Sequence, residues 1–205
     1  MGEQTETNEE ADARQWEERY RGQDRLFSGE PNGTLVAEVS GMSPGSALDV
    51  GCGEGADALW LAGRGWRTTG IDVSETALRR ADESDPNRGV TWTRTNVLAT
   101  PPVGRYDLVS VHYFPLRHPR DEAAVRGLLD AVAPGGTLLF VGHASADLVK
   151  HTDIDPGDYY QPDDVAGLLG DGWTVLVNET RPRTRPGPPG THHTRDAVLR
   201  VVRAR

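Results

Sequence analysis

The sequence has one cysteine, two methionines and, among its 22 basic residues, one lysine, Lys150. One cysteine can form neither an internal disulfide nor a zinc site with several thiolates, and we expect no metal centre. No apolar run approaches the roughly 18 residues of a membrane span. The first residues lack the basic and apolar regions of a signal peptide. These absences predict a cytoplasmic protein without a membrane segment.

Negative charge is concentrated near the N-terminus. The 205 residues carry a formal net charge of −9, and residues 1–12 contribute −5 of it because they contain no basic residue. This composition predicts a disordered acidic tail over residues 1–12. The negative balance also argues against nucleic acid as a partner, because affinity for polyanions comes mostly from lysine and arginine.

The order of the predicted elements indicates an α/β fold. The predicted strands are 47–50, 66–72, 90–94, 106–111, 137–142, 173–178 and 197–202. The predicted helices are 13–21, 34–40, 56–64, 75–82, 121–132 and 162–169, and one more helix is expected between the third and fourth strands. Such alternation predicts a mostly parallel sheet with helices on both faces. The last two strands have no room for a helix between them and are expected to form an antiparallel hairpin.

A glycine-rich turn lies between the first strand and the next helix. Residues 48–55 read LDVGCGEG. Glycines at such a turn let a ligand approach the backbone and the N-terminus of the helix. Gly51, Gly53 and Ala56 also fit the dinucleotide pattern G-x-G-x-x-A. Two features argue against that pattern: Asp49 stands two residues before the first glycine, and the third glycine has the spacing G-x-G-x-G.

Asp72 ends the second predicted strand, 17 residues after Gly55. A carboxylate at this position can accept both hydroxyl groups of an adenosine ribose. A dinucleotide enzyme would use the position in the same way, so Asp72 indicates adenosine rather than one cofactor. The alternative is an acid that only caps the next helix.

At this point the residues resemble a known family. The segments 49–55, 96–97, 106–109 and 133–138, with Asp72, are similar to the successive motifs of class I S-adenosylmethionine-dependent methyltransferases. The resemblance implies a Rossmann-like, doubly wound sheet of seven strands, mostly parallel, with the last strand antiparallel. It implies S-adenosyl-L-methionine as cofactor and S-adenosyl-L-homocysteine as product. Residues 13–205 are then the methyltransferase domain, with 13–43 as a helical cover over the active site.

The resemblance also implies roles in cofactor binding. The backbone at Gly51 and Gly53 is expected to face the methionyl part, and Asp49 to order the loop or to meet the amino group. The family usually has Asp where Asn96 stands, and the Asn carbonyl can still accept a hydrogen bond from the adenine amino group. Cys52 is interpreted as a small side chain in a crowded loop. The predicted cofactor-binding set is Asp49, Gly51, Cys52, Gly53, Gly55, Asp72, Val73, Asn96 and Val97.

The acceptor is less well defined by the sequence. The methyl group of a sulfonium donor is already activated, so the protein mainly has to align donor and acceptor, and a base is needed only for a protonated acceptor. No Asn-Pro-Pro-Tyr or Asp-Pro-Pro-Tyr motif follows the fourth strand, which argues against a DNA amino-methyltransferase. A single cysteine argues against arsenite methylation. We therefore expect a small-molecule acceptor and a monomer or homodimer.

A closer resemblance narrows the acceptor class. The small size, the entry segment with Trp16 and Tyr20, and the arginine-rich hairpin are similar to the tellurite-resistance and thiopurine methyltransferase group. This group implies thiol, selenium or tellurium acceptors and an N-terminal segment that closes over the site. It also implies Arg and His residues near the end of the sixth strand, where His192 and His193 stand. The predicted substrate-binding set is Trp16, Tyr20, Phe27, Tyr160, Arg181 and Arg183.

The predicted catalytic set is His112, Tyr113 and His143. His112 and Tyr113 end the fourth strand, where the family places groups that face the transferred methyl group. His112 could act as a base or orient the nucleophile, and the alternative is a histidine satisfied by the backbone. His143, at the end of the fifth strand, leaves the same two alternatives.

The sequence thus favours a methyltransferase for a thiol or related chalcogen. The first alternative is an O- or N-methyltransferase that tailors a natural product. A nucleotide-binding oxidoreductase and a non-catalytic cofactor-binding protein are rivals from other classes. Binding of S-adenosylhomocysteine rather than NAD distinguishes the first rival, and methyl transfer distinguishes the second.

Overall fold

The computed structural model describes residues 7–151, 155–185 and 193–205. Its strands are Ser46–Val50 (β1), Arg67–Asp72 (β2), Val90–Arg94 (β3), Tyr106–His112 (β4), Val132–His143 (β5), Trp173–Pro182 (β6) and Arg195–Arg203 (β7). Its α-helices are Asn8–Arg21 (α1), Gly33–Val39 (α2), Ala56–Gly63 (α3), Glu75–Glu83 (α4), Glu122–Asp130 (α5), Ser145–His151 (α6) and Pro162–Gly167 (α7), and a 3₁₀ helix spans Pro156–Asp158. No helix of the described residues is long and apolar enough to cross a membrane.

All seven strands belong to one sheet with the order β3-β2-β1-β4-β5-β7-β6. The first five pair in parallel, whereas β7 is antiparallel to both β5 and β6. This confirms the predicted doubly wound, seven-stranded sheet and the closing hairpin.

The core lies on both faces of the sheet. One face packs against α5 and α7, and the other against α2 and α3. Neighbouring residues of a strand alternate between the faces, as strand geometry requires. In β5, Leu138 and Phe140 lie in the first cluster, and Leu139 and Val141 lie in the second. Both faces of the central strands are therefore buried, which explains why these strands are apolar almost without interruption.

The topology fixes where a ligand can bind. Strand β1 lies between β2 and β4, so the chain proceeds to opposite sides of β1. Such a reversal leaves a crevice outside the carboxyl ends of parallel strands. Asp72 ends β2, the glycine loop follows β1, and Tyr113 follows β4. Three predicted site segments consequently meet at one edge of the sheet.

The first helix starts earlier than the sequence analysis predicts. We expected a helix from Ala13 after a disordered tail over residues 1–12, but α1 begins at Asn8. Thr7 and Glu10 form a capping box there, and acidic residues in a first turn interact favourably with the helix dipole. The acidic composition that indicated disorder therefore also fits a helix start. Residues 1–6 lie outside the described residues.

Three other predictions about elements were wrong. No helix forms between β3 and β4, where Pro101 and Pro102 disfavour helical backbone and the described chain makes only a short turn. The segment after β5, where no helix is predicted before residue 162, contains α6 and the 3₁₀ helix. Strand β5 begins at Val132 instead of Thr137, with a register shift in its pairing with β4 between Tyr106 and Leu108.

Candidate active site

The glycine-rich loop forms a narrow cradle between β1 and α3. Gly51, Gly53 and Gly55 have φ values of +66°, +53° and +86°, which only glycine adopts readily. A Cβ atom on Gly53 would lie 2.6 Å from the Tyr20 hydroxyl oxygen, and one on Gly51 would lie 2.6 Å from the Phe114 ring. The loop therefore presents bare backbone to the crevice.

Asp49 lies beneath this loop with an incompletely satisfied carboxylate. The residue is 3% exposed, and its Oδ2 atom has no hydrogen-bond partner among the described residues. Burial raises the pKa of Asp49 well above its usual range, and the neighbouring charges of Asp57 and Asp72 act in the same direction. A positively charged group bound above the loop would relieve both the missing hydrogen bond and the like-charge repulsion.

Asp72 joins the ends of β1 and β2. Its Oδ2 atom accepts a hydrogen bond from the Gly53 N–H at 2.9 Å, and its Oδ1 atom accepts one from the Ser74 N–H at 2.8 Å. Burial raises the pKa of Asp72, and these backbone N–H groups act against the rise. Each carboxylate oxygen keeps a further acceptor site, so Asp72 can still receive two ligand hydroxyl groups.

The other predicted adenosine-binding residues lie on the loops after β2 and β3. Val73 is half-buried, and Val97 is buried in the core cluster that also contains Ile71. The Asn96 amide donates to the Glu9 carbonyl oxygen at 3.1 Å, and its Oδ1 atom accepts from the Leu98 N–H at 3.1 Å. Asn96 thus donates a hydrogen bond to α1. An Asp at this position could not make this contact, because an ionised carboxylate only accepts hydrogen bonds.

Helix α1 lies across these cofactor-site loops. Tyr20 is 3% exposed, and its hydroxyl oxygen lies 2.6 Å from the point where a Cβ atom of residue 53 would stand. The Glu17 carboxylate accepts hydrogen bonds from the Ser74 hydroxyl and the Thr76 hydroxyl, both at 2.7 Å. Asp12 pairs with Arg120 at 2.7 Å. The first helix therefore contacts the loops that follow β1, β2, β3 and β4.

A second set of contacts holds the chain just after α1. The Glu54 carboxylate accepts from the backbone N–H groups of Leu26 and Phe27 and pairs with Arg80 at 2.9 Å. Arg80 also donates to the carbonyl oxygens of Tyr20 and Gln23. Since Glu54 lies inside the glycine loop, this ion pair links the loop directly to the N-terminal segment.

These features fit S-adenosylmethionine. The unpaired Asp49 oxygen suits the amino group of a methionyl moiety, and the cradle would be filled by a Cβ at Gly51 or Gly53. The remaining acceptor sites of Asp72 suit a ribose diol. Burial and the carboxylates of Asp49 and Asp72 raise the pKa of the Cys52 thiol, which disfavours the nucleophilic thiolate form.

A cluster of polar side chains follows the ends of β4 and β5. The Tyr113 hydroxyl donates to Asp196 Oδ1 at 2.8 Å, and Arg183 pairs with the same oxygen at 3.4 Å. The Arg183 guanidinium also lies 4.9 Å from the centre of the Tyr113 ring. The Tyr113 ring stacks on His143 at 4.4 Å, and His143 stacks on His193 at 3.8 Å. We call Tyr113, His143, Arg183, His193 and Asp196 the acceptor cluster.

The protonation of the acceptor cluster follows from burial. Burial lowers the pKa of His143 to about 3, and the positive charges of His193 and Arg183 act in the same direction. Burial raises the pKa of Tyr113, and Asp196 adds to this rise. Near pH 7, His143 is therefore neutral and Tyr113 keeps its proton.

His112 lies behind the cluster and lacks hydrogen-bond partners. Neither ring nitrogen has one among the described residues, and both are buried. Burial lowers the pKa of His112, and Arg183 lowers it further, whereas Asp57 and Asp196 act in the opposite direction. The alternative of a histidine satisfied by the backbone is thus not what the structure contains.

The structure brings together some predicted substrate residues and separates others. Arg183 belongs to the acceptor cluster, whereas Arg181 pairs with Glu38 on α2. Tyr160 is buried in the core and packs on His118 at 4.5 Å. Trp16 and Phe27 both pack against Tyr20, each with its ring centre 6.3 Å from that of Tyr20. His192 lies outside the described residues.

Several residues of the site were not predicted from the sequence, namely Glu17, Glu54, Arg80, Phe114 and Asp196. Asp196 is 2% exposed and also accepts from the Thr34 hydroxyl at 2.8 Å. The only sequence signal was an acid beside an apolar closing strand. A buried acid needs partners, but the sequence does not name them, because Thr34 is 162 positions away.

Comparisons with known proteins agree with this geometry. A family model described as a methyltransferase domain matches residues 47–136. The 2-heptyl-1-hydroxyquinolin-4(1H)-one methyltransferase of Mycobacteroides abscessus is 30% identical over 158 residues, which cover 72% of this chain and 67% of that protein. The ribosomal RNA small subunit methyltransferase C of Alcanivorax borkumensis is 33% identical over 116 residues, or 54% of this chain and 36% of that protein. The chain thus spans about a third to two thirds of these relatives.

Solved structures show the same fold. One has a TM-score of 0.74 at 25% identity, and the match covers 94% of this chain and 91% of the other. That structure is described by the conversion of a disulfide bond into a thioacetal group during echinomycin biosynthesis. The N-methyltransferase NodS of Bradyrhizobium japonicum with S-adenosyl-L-homocysteine has a TM-score of 0.72 at 20% identity, covering 94% and 99%. TehB of Haemophilus influenzae has a TM-score of 0.64 at 17% identity, covering 84% and 62%.

Proposed function

Since the chain belongs to the class I S-adenosylmethionine-dependent methyltransferases, we propose that it methylates a small molecule whose acceptor atom is a thiol or related chalcogen. Its cofactor is S-adenosyl-L-methionine, which supplies a methyl group on a positively charged sulfur. Gly51 and Gly53 hold the methionyl part through their backbone, and Asp49 pairs with its amino group. Asp72 receives the ribose hydroxyl groups, while Val73, Asn96 and Val97 bind the adenine.

We propose further that α1 and the following segment cover this site. The contacts of Tyr20 with the glycine loop and of Glu17 with the start of α4 support this role. Trp16 and Phe27 extend the apolar surface of Tyr20 and exclude water from the reacting groups.

The low basicity of His143 is the observation that supports this choice of acceptor. A histidine whose pKa is about 3 is too weak a base to take a proton from an ordinary alcohol or phenol near pH 7. A thiol has an unperturbed pKa of about 8.5 and reacts as its thiolate, so it reaches the site partly ionised without a protein base. Arg183 favours such an anion beside Tyr113.

A second candidate function is O-methylation of an acidic hydroxyl group. The relative from Mycobacteroides abscessus acts on a hydroxyquinolone. A hydroxyl group with a low pKa would satisfy the same requirement, because it also ionises without a base. An amine acceptor is less suited, since Arg183 lies next to the acceptor position and would oppose the positive charge of the product.

An acceptor panel with the purified protein tests the proposal. Formation of S-adenosylhomocysteine is measured with thiols, selenide, phenols, a hydroxyquinolone, amines and a short RNA. We expect the thiols to react fastest, with rates that rise with pH as the thiolate fraction rises. Preference for an oxygen or nitrogen acceptor contradicts the chalcogen assignment, and methylation of the RNA alone contradicts a small-molecule role. Calorimetry that detects NAD but not S-adenosylhomocysteine contradicts methyl transfer itself.

A further inference from the structure

Asp196 is the common partner of groups from four parts of the chain. It begins the buried part of β7 and is 2% exposed. Its Oδ1 atom accepts a hydrogen bond from the Tyr113 hydroxyl group and pairs with Arg183. Its Oδ2 atom accepts a hydrogen bond from the Thr34 hydroxyl group. The register of the sheet sets its backbone beside His143 of β5. The carboxylate therefore joins the ends of β4 and β6 to the start of α2, and the backbone of Asp196 pairs with the end of β5.

The side chain that Asp196 holds is attached to an unusual backbone. Tyr113 has φ +53°, a left-handed conformation that is costly for a bulky residue and persists only where the surroundings enforce it. This conformation turns the chain at the end of β4, so that the Tyr113 ring stacks on His143 while Phe114 contacts the glycine loop. The Asp196 hydrogen bond fixes the far end of that ring. The position of Tyr113 is thus determined at both its ends.

Asp196 also balances the charge of the acceptor cluster. Arg183 is 11% exposed at its side chain and Asp196 is 3% exposed, so both charges are largely removed from solvent. His143, which stacks on Tyr113, is neutral near pH 7. With the carboxylate present, the positive charge of Arg183 is partly offset, which weakens but does not abolish its attraction for an anion. Without it, the cation would be uncompensated beside the acceptor position and would attract anions more strongly.

We propose that Asp196 is a positioning and specificity-determining residue of this methyltransferase: it fixes Tyr113 and Arg183 at the acceptor site and sets how strongly that site prefers an anionic acceptor. The inference rests on the proposed function in placing the acceptor beside Tyr113. Asp196 itself does not touch the reacting atoms. It acts through Tyr113, whose ring orients the acceptor, and through Arg183, whose charge it offsets.

Three variants separate geometry from charge. Asp196→Asn keeps an oxygen that can accept a hydrogen bond from the Tyr113 hydroxyl group but removes the negative charge. Asp196→Ala removes both. Asp147→Asn is the matched control, because this buried carboxylate holds the same strand start through the Thr194 and Arg195 N–H groups. Thermal unfolding and binding of S-adenosylhomocysteine establish that each variant is folded, and we expect near-wild-type affinity because Asp196 does not contact the cofactor loops in the described structure.

The first measurement needs no acceptor. The pH titration of tyrosinate absorption is compared between wild type and Asp196→Asn, each with and without Tyr113→Phe to identify the Tyr113 contribution. The charges of Asp196, Arg183 and Asp57 act on the pKa of Tyr113, and the titratable rings of His112 and His143 pack against it. Loss of the Asp196 charge should therefore let Tyr113 ionise at lower pH, while Asp147→Asn leaves its titration unchanged. An unchanged Tyr113 titration in folded Asp196→Asn overturns the proposal.

The second measurement uses two acceptors of the active class that differ by one carboxylate. We expect Asp196→Ala to lower kcat by about 100-fold, the scale of a misplacement near 1 Å, and Asp196→Asn to lower it less. Asp196→Asn should lower KM for the anionic acceptor relative to the neutral one. Equal losses in Asp147→Asn, or an unchanged ratio of KM values, contradict the specificity role. If wild type methylates no acceptor, the proposed function fails, while the tyrosine titration still decides whether Asp196 holds Tyr113.

Discussion

The side-chain amide of Asn96 donates a hydrogen bond of 3.1 Å to the backbone carbonyl oxygen of Glu9, across 87 positions of sequence. It joins the loop after β3, at the expected adenine end of the cofactor site, to the first helix. The family that this chain resembles usually has Asp at this position. A carboxylate cannot donate a hydrogen bond, so the amide adds an anchor for α1 that the acid would not provide.

Asn96→Asp should therefore loosen α1. The variant loses a hydrogen bond worth about 1 kcal/mol and places a negative charge against a carbonyl oxygen. Hydrogen exchange of the peptide that covers residues 8–21 should become faster, while exchange in β5 stays the same. Asn178→Asp is the control, since Asn178 donates to Asp163 on the exposed side of the hairpin. Identical exchange of residues 8–21 in wild type and Asn96→Asp would refute this role.

Glu17 should make the docking of α1 sensitive to acid. Although desolvation acts in the opposite direction, hydrogen bonds from Ser74 and Thr76 lower the pKa of Glu17 from 4.5 to about 2. A carboxylate whose pKa is lowered by folding stabilises the folded state at pH values above the pKa that it has in the unfolded chain. This contribution is lost as the pH falls from about 4.5 through about 2.

Thermal unfolding between pH 5 and 2 checks this expectation. Wild type should lose more stability over that range than Glu17→Gln, because the variant has no carboxylate to protonate at this contact. Glu83→Gln removes a carboxylate from an exposed pair with Arg79 on α4 and serves as the control. Parallel curves for wild type and Glu17→Gln would show that the contact does not stabilise the docked helix.

Gly53→Ala should damage both the loop and the cofactor site. The residue has φ +53°, and a Cβ atom would lie 2.6 Å from the Tyr20 hydroxyl oxygen. Backbone strain of this kind costs about 1–3 kcal/mol, and the displaced Tyr20 would no longer close the loop. We expect a lower Tm and weaker S-adenosylhomocysteine binding by calorimetry. Gly63→Ala, which meets no atom within 4 Å, should leave binding intact; equal binding in both variants would contradict a special role of Gly53.

Asp72→Asn should weaken cofactor binding more than it weakens folding. The amide replaces an oxygen that accepts the Gly53 or Ser74 N–H and removes the charge that would receive ribose hydroxyl groups. Hydrogen bonds to charged groups contribute about 1.5–3 kcal/mol, so we expect at least a roughly tenfold rise of the dissociation constant. Asp85→Asn is the matched control: Asp85 is also buried and accepts the Gly89 and Val90 N–H groups. Equal affinities of the two variants would leave Asp72 with a structural role only.

The sequence predicted those parts of the site that depend on local backbone chemistry. The glycine-rich turn predicted between the first strand and the next helix has positive φ values at Gly51, Gly53 and Gly55. Strand and helix alternation predicted the sheet, because each pattern reports which face of its own element is buried. Asp72 at the end of β2 followed from the same local reading.

Contacts between distant segments were decided only by the tertiary structure. Both Arg181 and Arg183 were candidates, yet Glu38 of α2 pairs with the first and Asp196 of β7 with the second. Tyr160, also a candidate, is buried in the core. Local propensity carries no information about which distant charge or ring a side chain will meet, since that depends on how the packed elements bring their ends together. The cofactor site could therefore be predicted from the local sequence around one loop. The acceptor cluster forms only because the folded sheet brings Tyr113, His143 and Asp196 to one edge.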